Sequence, residues 1–219
     1  DSPQILQNLI KQFGQTANPE QDEAELIEEM QEWYSQIIHT PLHDGFSLHQ
    51  LNDGEYRSEM DFHLSMADRA LAIRKIRMLF ESLKEPDLQI QDLNDVFTAR
   101  YLTGSIDLVY FDGQRYHIAD YKSNFLGDQT AHYDHAYIRE SMSHSSYWLQ
   151  AALYLVALHR YLKAVMKDYD MTQHLGGASY LYLRGMDGQS DRGVYHWKPA
   201  DTFIQNLDAI LSEKVVAKT

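Results

Sequence analysis

Two aspartates and a lysine in neighbouring segments carry the clearest chemical signal in this sequence. Asp107 lies in one β-rich run, and Asp120 and Lys122 lie in the next. An Asp-Gly pair, Asp112 and Gly113, separates the runs and is typical of a tight β-hairpin. Because strand side chains alternate with a period of two, we expect all three functional side chains on one face of this hairpin.

The centre of the turn decides how close the two aspartates come. If Gly113 and Gln114 form the centre, Asp107 lies directly opposite Asp120, with Cβ atoms about 4.5–5.5 Å apart. If Asp112 and Gly113 form the centre, the two aspartates are diagonal neighbours. In both cases the carboxylates repel each other unless a cation lies between them or one is protonated.

Carboxylate oxygens together with water molecules are the ligands that suit Mg²⁺. Such an ion can generate a hydroxide and stabilise negative charge on a phosphodiester. Lys122 could orient the attacking water or neutralise the developing charge. The competing interpretation is that Asp107 and Asp120 are solvent-facing residues with Lys122 as their salt-bridge partner, and spacing alone favours this simpler interpretation.

The elements that would position these residues follow from hydrophobic periodicity and turn residues. In chain order we predict helices at 5–13 and 19–38, a strand at 56–66, a helix at 67–83, hairpin strands at 100–111 and 115–122, a helical region at 137–167, strands at 178–183 and 194–197, and a helix starting at Pro199. In the strand at 56–66, alternation places Tyr56 on the face of Met60, with Glu59 on the other face. The order of elements predicts an α/β fold with a mixed central sheet flanked by helices.

Bulk composition limits the possible settings. The chain has 219 residues, 44% of them hydrophobic, which is enough for one good core. No run approaches the roughly 18 apolar residues of a membrane-spanning helix. Cysteine is absent, which excludes disulfides and thiolate zinc sites and fits a reducing, cytoplasmic setting. The chain has no Gly-x-x-x-x-Gly-Lys-Ser/Thr loop, so we do not expect it to bind ATP.

The charge balance differs from that of an autonomous DNA-binding protein. Lys and Arg total 19 against 32 Asp and Glu, giving a net charge of −13, whereas such proteins usually carry a basic face. If the chain acts on DNA, we expect a partner or a larger parent chain to supply most of the grip on phosphate. We interpret the first residue, Asp1, as a domain boundary rather than the end of a processed signal.

Three ordered motifs resemble those of the PD-(D/E)XK nucleases, and more narrowly those of the RecB-type branch. They are Gly-Ser-Ile-Asp-Leu-Val at 104–109, Ile-Ala-Asp-Tyr-Lys-Ser-Asn at 118–124 and Gln-Ala-Ala-Leu-Tyr at 150–154. The stretches at 157–162 and 181–185 add to the resemblance, which runs from about residue 46 to the C-terminus.

The resemblance implies a restriction-endonuclease-like fold, with an N-terminal helical segment at 1–45 packed on a nuclease domain at 46–219. It implies exodeoxyribonuclease activity that depends on Mg²⁺, with Mn²⁺ as a substitute. It further implies the nuclease domain of an ATP-dependent helicase–nuclease that acts in double-strand break repair and recombination. The expected partners are DNA, RecC- and RecD-type subunits and a RecA-type recombinase, with no membrane.

The same resemblance assigns roles to individual residues. Asp107, Asp120 and Lys122 would be catalytic. The two aspartates and the main-chain carbonyl of Tyr121 would bind the metal ion.

Three further residues would line the site beside the DNA: Glu59, Gln150 and Tyr154. The i, i+4 spacing of Gln150 and Tyr154 puts both on one helical face. The alternatives are an exposed strand carboxylate for Glu59, a surface amide for Gln150 and a core aromatic for Tyr154.

RecB-type nucleases carry one more metal-binding histidine, in a G-x-x-x-H helix before the first strand. The string from Gly45 to His49 fits this pattern, but Phe46 and Leu48 alternate with polar residues, which predicts extended chain. We therefore expect that His49 is not the ligand and that the chain begins after the true histidine. The isolated domain would then bind metal weakly and cut poorly.

Two histidines with an aspartate, His132, Asp134 and His135, suggest a second candidate metal site, because such ligands suit zinc. The segment is polar, which favours a solvated, mobile loop that could touch DNA.

A binding module with the nuclease fold but no cleavage activity is the rival function. The net charge of −13 and the missing histidine favour a docking role for partner subunits or recombinase. The intact set of Asp107, Asp120 and Lys122 opposes it.

Overall fold

The computed structural model describes residues 23–64, 69–85, 88, 90 and 102–212. The predicted helix at 5–13 and the first residues of the predicted helix at 19–38 lie outside this part of the chain.

The helices and strands follow the predicted order, with bounds that differ by a few residues, except that the short helix at Met171–His174 is not among the predicted elements. The helices are α1 (Glu23–His39), α2 (Arg69–Glu81), α3 (His135–His144), α4 (Tyr147–Val165), α5 (Met171–His174) and α6 (Asp201–Ser212). The strands are β1 (Tyr56–His63), β2 (Thr103–Phe111), β3 (Tyr116–Lys122), β4 (Leu175–Tyr182) and β5 (Val194–Trp197). Short 3-10 helices occur at Leu48–Gln50, Thr130–Tyr133 and Leu183–Gly185.

The strands form one five-stranded sheet in the order β1-β2-β3-β4-β5. Strands β3 and β4 pair in parallel, and the other neighbours are antiparallel. Parallel strands need a long crossover connection, and here α3, α4 and α5 provide it. The predicted mixed α/β fold with a central sheet flanked by helices is therefore confirmed.

Helices cover the two sheet faces unequally. On one face α2, α3, α4 and α6 pack into the larger core, through residues such as Ile76, Met142 and Leu207. On the other face a smaller core includes Ile37 of α1 and Leu42. Helix α4 is apolar on nearly every side, as expected of a helix in the interior of a domain.

The β2–β3 hairpin has the first of the two turns considered above. Leu108 pairs with Ala119, and the N–H of Asp112 donates a hydrogen bond to the carbonyl of Arg115 at 3.1 Å. The two residues between Asp112 and Arg115 form the turn centre, and Gly113 has a φ of 93°, which glycine adopts without steric cost. Continued by one residue, this register aligns Asp107 with Asp120.

Strand β1 departs from the predicted alternation at Glu59, whose φ is 52°. Met60 lies beside Ile106 in the larger core. Tyr56 instead lines a pocket with Leu108 on the other face. The prediction that Tyr56 and Met60 share a face is wrong, because a left-handed residue between them interrupts the period of two.

The predicted helical region at 137–167 is two helices, α3 and α4. Ser146 separates them with a φ of 58° in the left-handed region. The predicted loop at 132–135 is also corrected, because Tyr133 is buried at the end of a 3-10 helix and α3 begins at His135. The side chain of Tyr133 packs against Gly185 so closely that a Cβ at this position would overlap it.

Two consecutive glycines lie inside β4 rather than before it. A Cβ on Gly176 would overlap the ring of His117, and one on Gly177 would overlap the ring of His196. The predicted start of this strand at 178 is therefore late, because the glycines make room for neighbouring histidines instead of forming a turn.

None of the helices in the described part of the chain combines the length and apolarity needed to cross a bilayer. The division of the chain at residue 45 stays a prediction.

Candidate active site

Three acidic residues lie at one level across three neighbouring strands. The last pair of the β2–β3 ladder is Leu108 with Ala119, so the next position on each strand brings Asp107 opposite Asp120. Glu59 occupies the interrupted position of β1, where the register faces Asp107. The side chain of Glu59 is exposed.

Asp107 holds the main chain of the neighbouring strand. Its Oδ2 accepts a hydrogen bond from the N–H of Tyr121 at 2.9 Å. The side chain of Tyr121 points to the opposite sheet face, where it lines a pocket with Trp33 and Tyr34. The main-chain N–H of Tyr121 contacts Asp107, and its carbonyl as a metal ligand stays a prediction.

Asp120 is buried, with only 4% of its surface exposed, and its Oδ2 forms an ion pair with the ammonium of Lys122. Burial raises the pKa of the Asp120 carboxyl to about 6, against the opposing effect of Lys122 and with a further increase from Asp107. The carboxyl is therefore more easily protonated than an exposed aspartate.

The ammonium of Lys122 lies among aromatic rings. Its Nζ is 4.1 Å from the centroid of the Tyr147 ring and 5.2 Å from that of Tyr180. Its Nζ also donates a hydrogen bond to Oε1 of Gln150 at 3.4 Å. Such contacts hold a cation in place without neutralising it.

The amide of Gln150 has a defined orientation. The hydroxyl of Tyr180 donates to Oε1 of Gln150 at 3.0 Å and lies 2.7 Å from the carbonyl oxygen of Tyr147. The Nε2 of Gln150 donates to the hydroxyl of Tyr154 at 2.8 Å. These bonds direct the carbonyl oxygen of Gln150 toward Lys122.

An open pocket of about 590 Å³ lies over this group. It is lined by Phe62, Thr103, Gly104, Lys122, Ser145, Tyr147, Gln150 and Tyr154. The structure therefore brings Lys122 together with both residues of the helix motif. Tyr154 is largely buried, and its ring packs edge-on against Phe62 at 5.3 Å, so it is also part of the core.

Sequence reasoning missed two residues that surround Lys122. Tyr147 precedes Gln150 by three residues on α4, and this spacing places the two on one helical face, so the sequence contained a signal for it. Tyr180 lies opposite Asp120 in the β3–β4 register, and no local pattern marks it.

The donor atoms fit a hard divalent cation. The two aspartates offer carboxylate oxygens on adjacent strands, and the buried Asp120 carboxylate has a positive charge as its partner. Oxygen ligands of this kind suit Mg²⁺ and Mn²⁺. Asp107 and Asp120 are the residues that could hold such an ion.

His49 lies away from this pocket. Its Nδ1 is 2.7 Å from Oγ of Ser47, and its ring stacks on His39 at 4.5 Å. It lines the pocket of Tyr121 on the other face of the sheet. The expected extended chain at 46–49 is corrected in part, because Leu48–Gln50 forms one 3-10 turn.

The histidines of the 132–135 segment have separate partners. The ring of His132 packs against Tyr137. Asp134 pairs with an arginine and His135 with another aspartate. Within the described ranges, the histidine–carboxylate group whose ligand atoms all lie within 4.8 Å is a different one, at His43, Asp112 and His117.

Comparison with known proteins agrees with the motifs. The PD-(D/E)XK nuclease superfamily model matches residues 4–217. The RecBCD enzyme subunit RecB of Haemophilus influenzae is 36% identical over 187 residues, which are 84% of this chain and 15% of that protein. The RecB subunit of Escherichia coli is 34% identical over 187 residues, covering 83% and 15%. That of Mycobacterium tuberculosis is 44% identical over 119 residues, covering 51% and 11%.

The chain thus spans about 15% of the length of the first two relatives. Because the family model covers nearly all of its residues, this chain belongs to the PD-(D/E)XK nuclease superfamily.

Proposed function

We propose that this chain hydrolyses DNA phosphodiester bonds with Mg²⁺, for which Mn²⁺ can substitute. The observation that carries the proposal is the ion pair of Lys122 with the buried Asp120 beside an open pocket, with the Asp107 carboxylate bonded to the same strand at Tyr121. Metal-dependent phosphodiester hydrolysis uses such a combination, in which carboxylates hold the cation and a positive charge stabilises the negative charge that develops on the phosphate.

In this proposal Asp107, Asp120 and the main-chain carbonyl of Tyr121 hold the cation. When bound, the cation supplies Lewis acidity and a lowered pKa for water. Lys122 donates a hydrogen bond to the attacking water or to a phosphate oxygen.

Gln150 and Tyr154 keep Lys122 in position and line the path of the DNA. The support for this role is the continuous chain of bonds from Lys122 through Gln150 to Tyr154. Glu59 lies level with the aspartates, and we propose that its exposed carboxylate assists the cation or its water.

We further propose that the chain is the nuclease domain of an ATP-dependent exonuclease in double-strand break repair, working in the cytoplasm and without a membrane. Its relatives are named as RecB subunits of the RecBCD enzyme. Partners would be DNA, RecC- and RecD-type subunits and a RecA-type recombinase. The net charge of −13 supports delivery of the DNA by such partners, because the chain has few cations for gripping phosphate itself.

The test is cleavage of end-labelled linear single-stranded DNA by this chain at low salt, with Mg²⁺, with Mn²⁺ or with EDTA. We expect cleavage that needs the cation and is lost in Asp120→Asn. The control is Asp168→Asn, which makes the same change from carboxylate to carboxamide at an exposed aspartate. Equal cleavage by wild type and Asp120→Asn would overturn the assignment of the site.

Calorimetric titration of Mg²⁺ and Mn²⁺ tests the cation site separately. We expect binding that Asp107→Ala and Asp120→Ala both abolish. A docking module without cleavage is the second candidate, favoured by the net charge of −13. A folded chain that cleaves no DNA with either cation would support the docking function.

A further inference from the structure

A second group of metal-ligating side chains lies at the turn end of the β2–β3 hairpin. His43 follows α1, Asp112 precedes the turn and His117 lies in β3, and their ligand atoms are all within 4.8 Å of one another. His117 pairs with Tyr110, a residue of the smaller core. The group is therefore on the sheet face opposite Asp120.

His43 provides a buried donor atom without a partner. Its side chain is only 6% exposed, and its Nε2 is buried and makes no hydrogen bond to the described residues. Its ring stacks on that of His117 at 4.0 Å and lies 4.7 Å from the ring of His196. A buried nitrogen of this kind is costly unless a ligand completes it.

The other two ligands are fixed by hydrogen bonds. Oδ1 of Asp112 accepts the N–H groups of Gln114 and Arg115 at 2.8 and 2.7 Å. Oδ2 of Asp112 lies 2.9 Å from Nε2 of His117. The N–H of Gly177 donates to Nδ1 of His117 at 3.1 Å, so the ring proton of His117 is on Nε2 and points at Asp112.

The group offers neutral imidazoles and an anionic carboxylate at pH 7. Burial lowers the pKa of His43 and lowers that of His117 to about 4. Burial opposes ionisation of Asp112, but its main-chain hydrogen bonds leave its pKa below the ordinary value. Two imidazoles and a carboxylate are a typical donor set for zinc.

Nearby charges act in opposite directions on this group. Lys198 lies close enough to lower the pKa of the histidines, and Asp44 raises that of His43. Lys198 is exposed, so solvent screens its repulsion of a cation.

We propose that His43, Asp112 and His117 form a second metal site, which binds Zn²⁺ or another late first-row divalent cation and ties the segment after α1 to the hairpin. Water completes the coordination. Binding through Nε2 of His117 requires its ring proton to move to Nδ1, which breaks the bond from Gly177, and requires one ring of the His43–His117 stack to turn so that both lone pairs point at the ion. The amide of Gly177 is therefore a direct reporter of occupancy.

The test uses the 219-residue chain carrying Asp107→Ala and Asp120→Ala, which removes the proposed catalytic ligands. Zn²⁺ and Co²⁺ are titrated by calorimetry, and thermal unfolding and the ¹⁵N–¹H resonance of Gly177 are followed. We expect one equivalent to bind, a higher Tm and a shifted Gly177 resonance.

In this background, His43→Gln and Asp112→Asn are expected to weaken Zn²⁺ binding at least about tenfold, because loss of a ligand should cost more than loss of a residue that only hydrogen-bonds to a ligand. Asp112→Asn keeps an acceptor for the turn and tests the site even where His43→Gln does not fold. His144→Gln changes an exposed histidine and is expected to bind Zn²⁺ as the background does.

Absence of Zn²⁺ binding in the folded background protein would overturn the proposal. Unchanged Zn²⁺ affinity in Asp112→Asn would overturn it as well, because the ion would then bind elsewhere. Both outcomes leave the DNA cleavage assay unaffected, so this proposal and the proposed function fail separately.

Discussion

Lys122 and the proposed cation compete for one carboxylate. The ammonium pairs with Oδ2 of Asp120, and aromatic rings and Gln150 hold it there. Only Oδ2 of Asp120 is paired with the ammonium, so the proposed cation would either bind the other carboxylate oxygen or displace the ammonium, and displacement would free the ammonium to meet substrate. The same lysine therefore stabilises the metal-free site and serves the proposed reaction.

Replacement of Lys122 by methionine separates these two roles. We expect Lys122→Met to lower single-turnover cleavage by about 100-fold or more, since a charge aimed at the transition state is lost. Mn²⁺ binding, measured by calorimetry at pH 8, is expected to be retained or tightened, because the competing ammonium is gone. A parallel loss of binding and cleavage would show that Lys122 acts only through the fold.

The raised pKa of Asp120 makes the stability of the metal-free protein depend on pH. The pKa is about 6 in the folded protein and about 3.9 in the unfolded chain. The folded state therefore binds more protons between pH 4 and 6, and this contribution to stability is lost as pH rises through that window.

Urea unfolding in EDTA from pH 4 to pH 7 measures this effect. We expect the free energy of unfolding of the wild type to fall relative to that of Asp120→Asn by on the order of 2 kcal/mol across the range. Comparison of the two proteins cancels the titration of other groups. Parallel curves for the two proteins would contradict a raised Asp120 pKa.

At the scale of elements, the break in β1 changes which face of the sheet each side chain occupies. Glu59 has a φ of 52°, which costs a non-glycine residue about 1 kcal/mol. The break lets Met60 enter the larger core while Tyr56 stays on the opposite face. The β1–β2 register is the same on both sides of the break, so Glu59 stays level with Asp107.

A β-branched residue at this position should be more costly than the same residue elsewhere on the strand. We expect Glu59→Val to destabilise the protein by about 1–2 kcal/mol, because valine crowds its backbone at positive φ. Glu59→Gln, which keeps an unbranched Cβ, should change stability by less than about 0.5 kcal/mol.

Asp61→Val is the matched control, since Asp61 is also exposed on β1 but lies outside the left-handed region. Valine is favoured at such a strand position. Equal destabilisation by valine at positions 59 and 61 in thermal unfolding would contradict a backbone cause.

At the scale of the whole molecule, the two sheet faces carry titratable groups that change the stability of the protein in opposite directions as pH rises. One face carries Asp120, whose pKa is raised. The other carries a cluster of histidine rings, in which burial lowers the pKa of the buried His117 to about 4 and that of the half-buried His196 to about 3. Unfolded histidine titrates near 6.5. Between each folded pKa and about 6.5, the unfolded chain therefore binds more protons than the folded protein. The free energy of unfolding consequently falls as pH drops below about 6.5.

We expect His196→Gln to lose less stability between pH 7 and pH 4.5 than the wild type, by roughly 2 kcal/mol. The measurement is the free energy of unfolding in urea at each pH, with EDTA present. His144→Gln, at an exposed site, should follow the wild type. A steeper acid loss in His196→Gln would contradict the neutral buried histidine.

The sequence by itself determined the parts of this protein that depend on local order. Alternation along β3 put Asp120 and Lys122 on one face, the Asp-Gly turn set the register that aligns Asp107 with Asp120, and helical spacing joined Gln150 to Tyr154. The types and order of the five strands and the longer helices followed in the same way, because hydrophobic periodicity and turn residues act over a few residues.

The tertiary structure alone decided which distant residues meet. It placed Tyr180 beside Lys122, and it brought His43 to Asp112 and His117, because these contacts depend on how the sheet and its helices pack. It also reversed the face of Tyr56, since one left-handed residue overrides strand alternation. Packing and backbone sterics act across the whole chain, and no short stretch of sequence records their outcome.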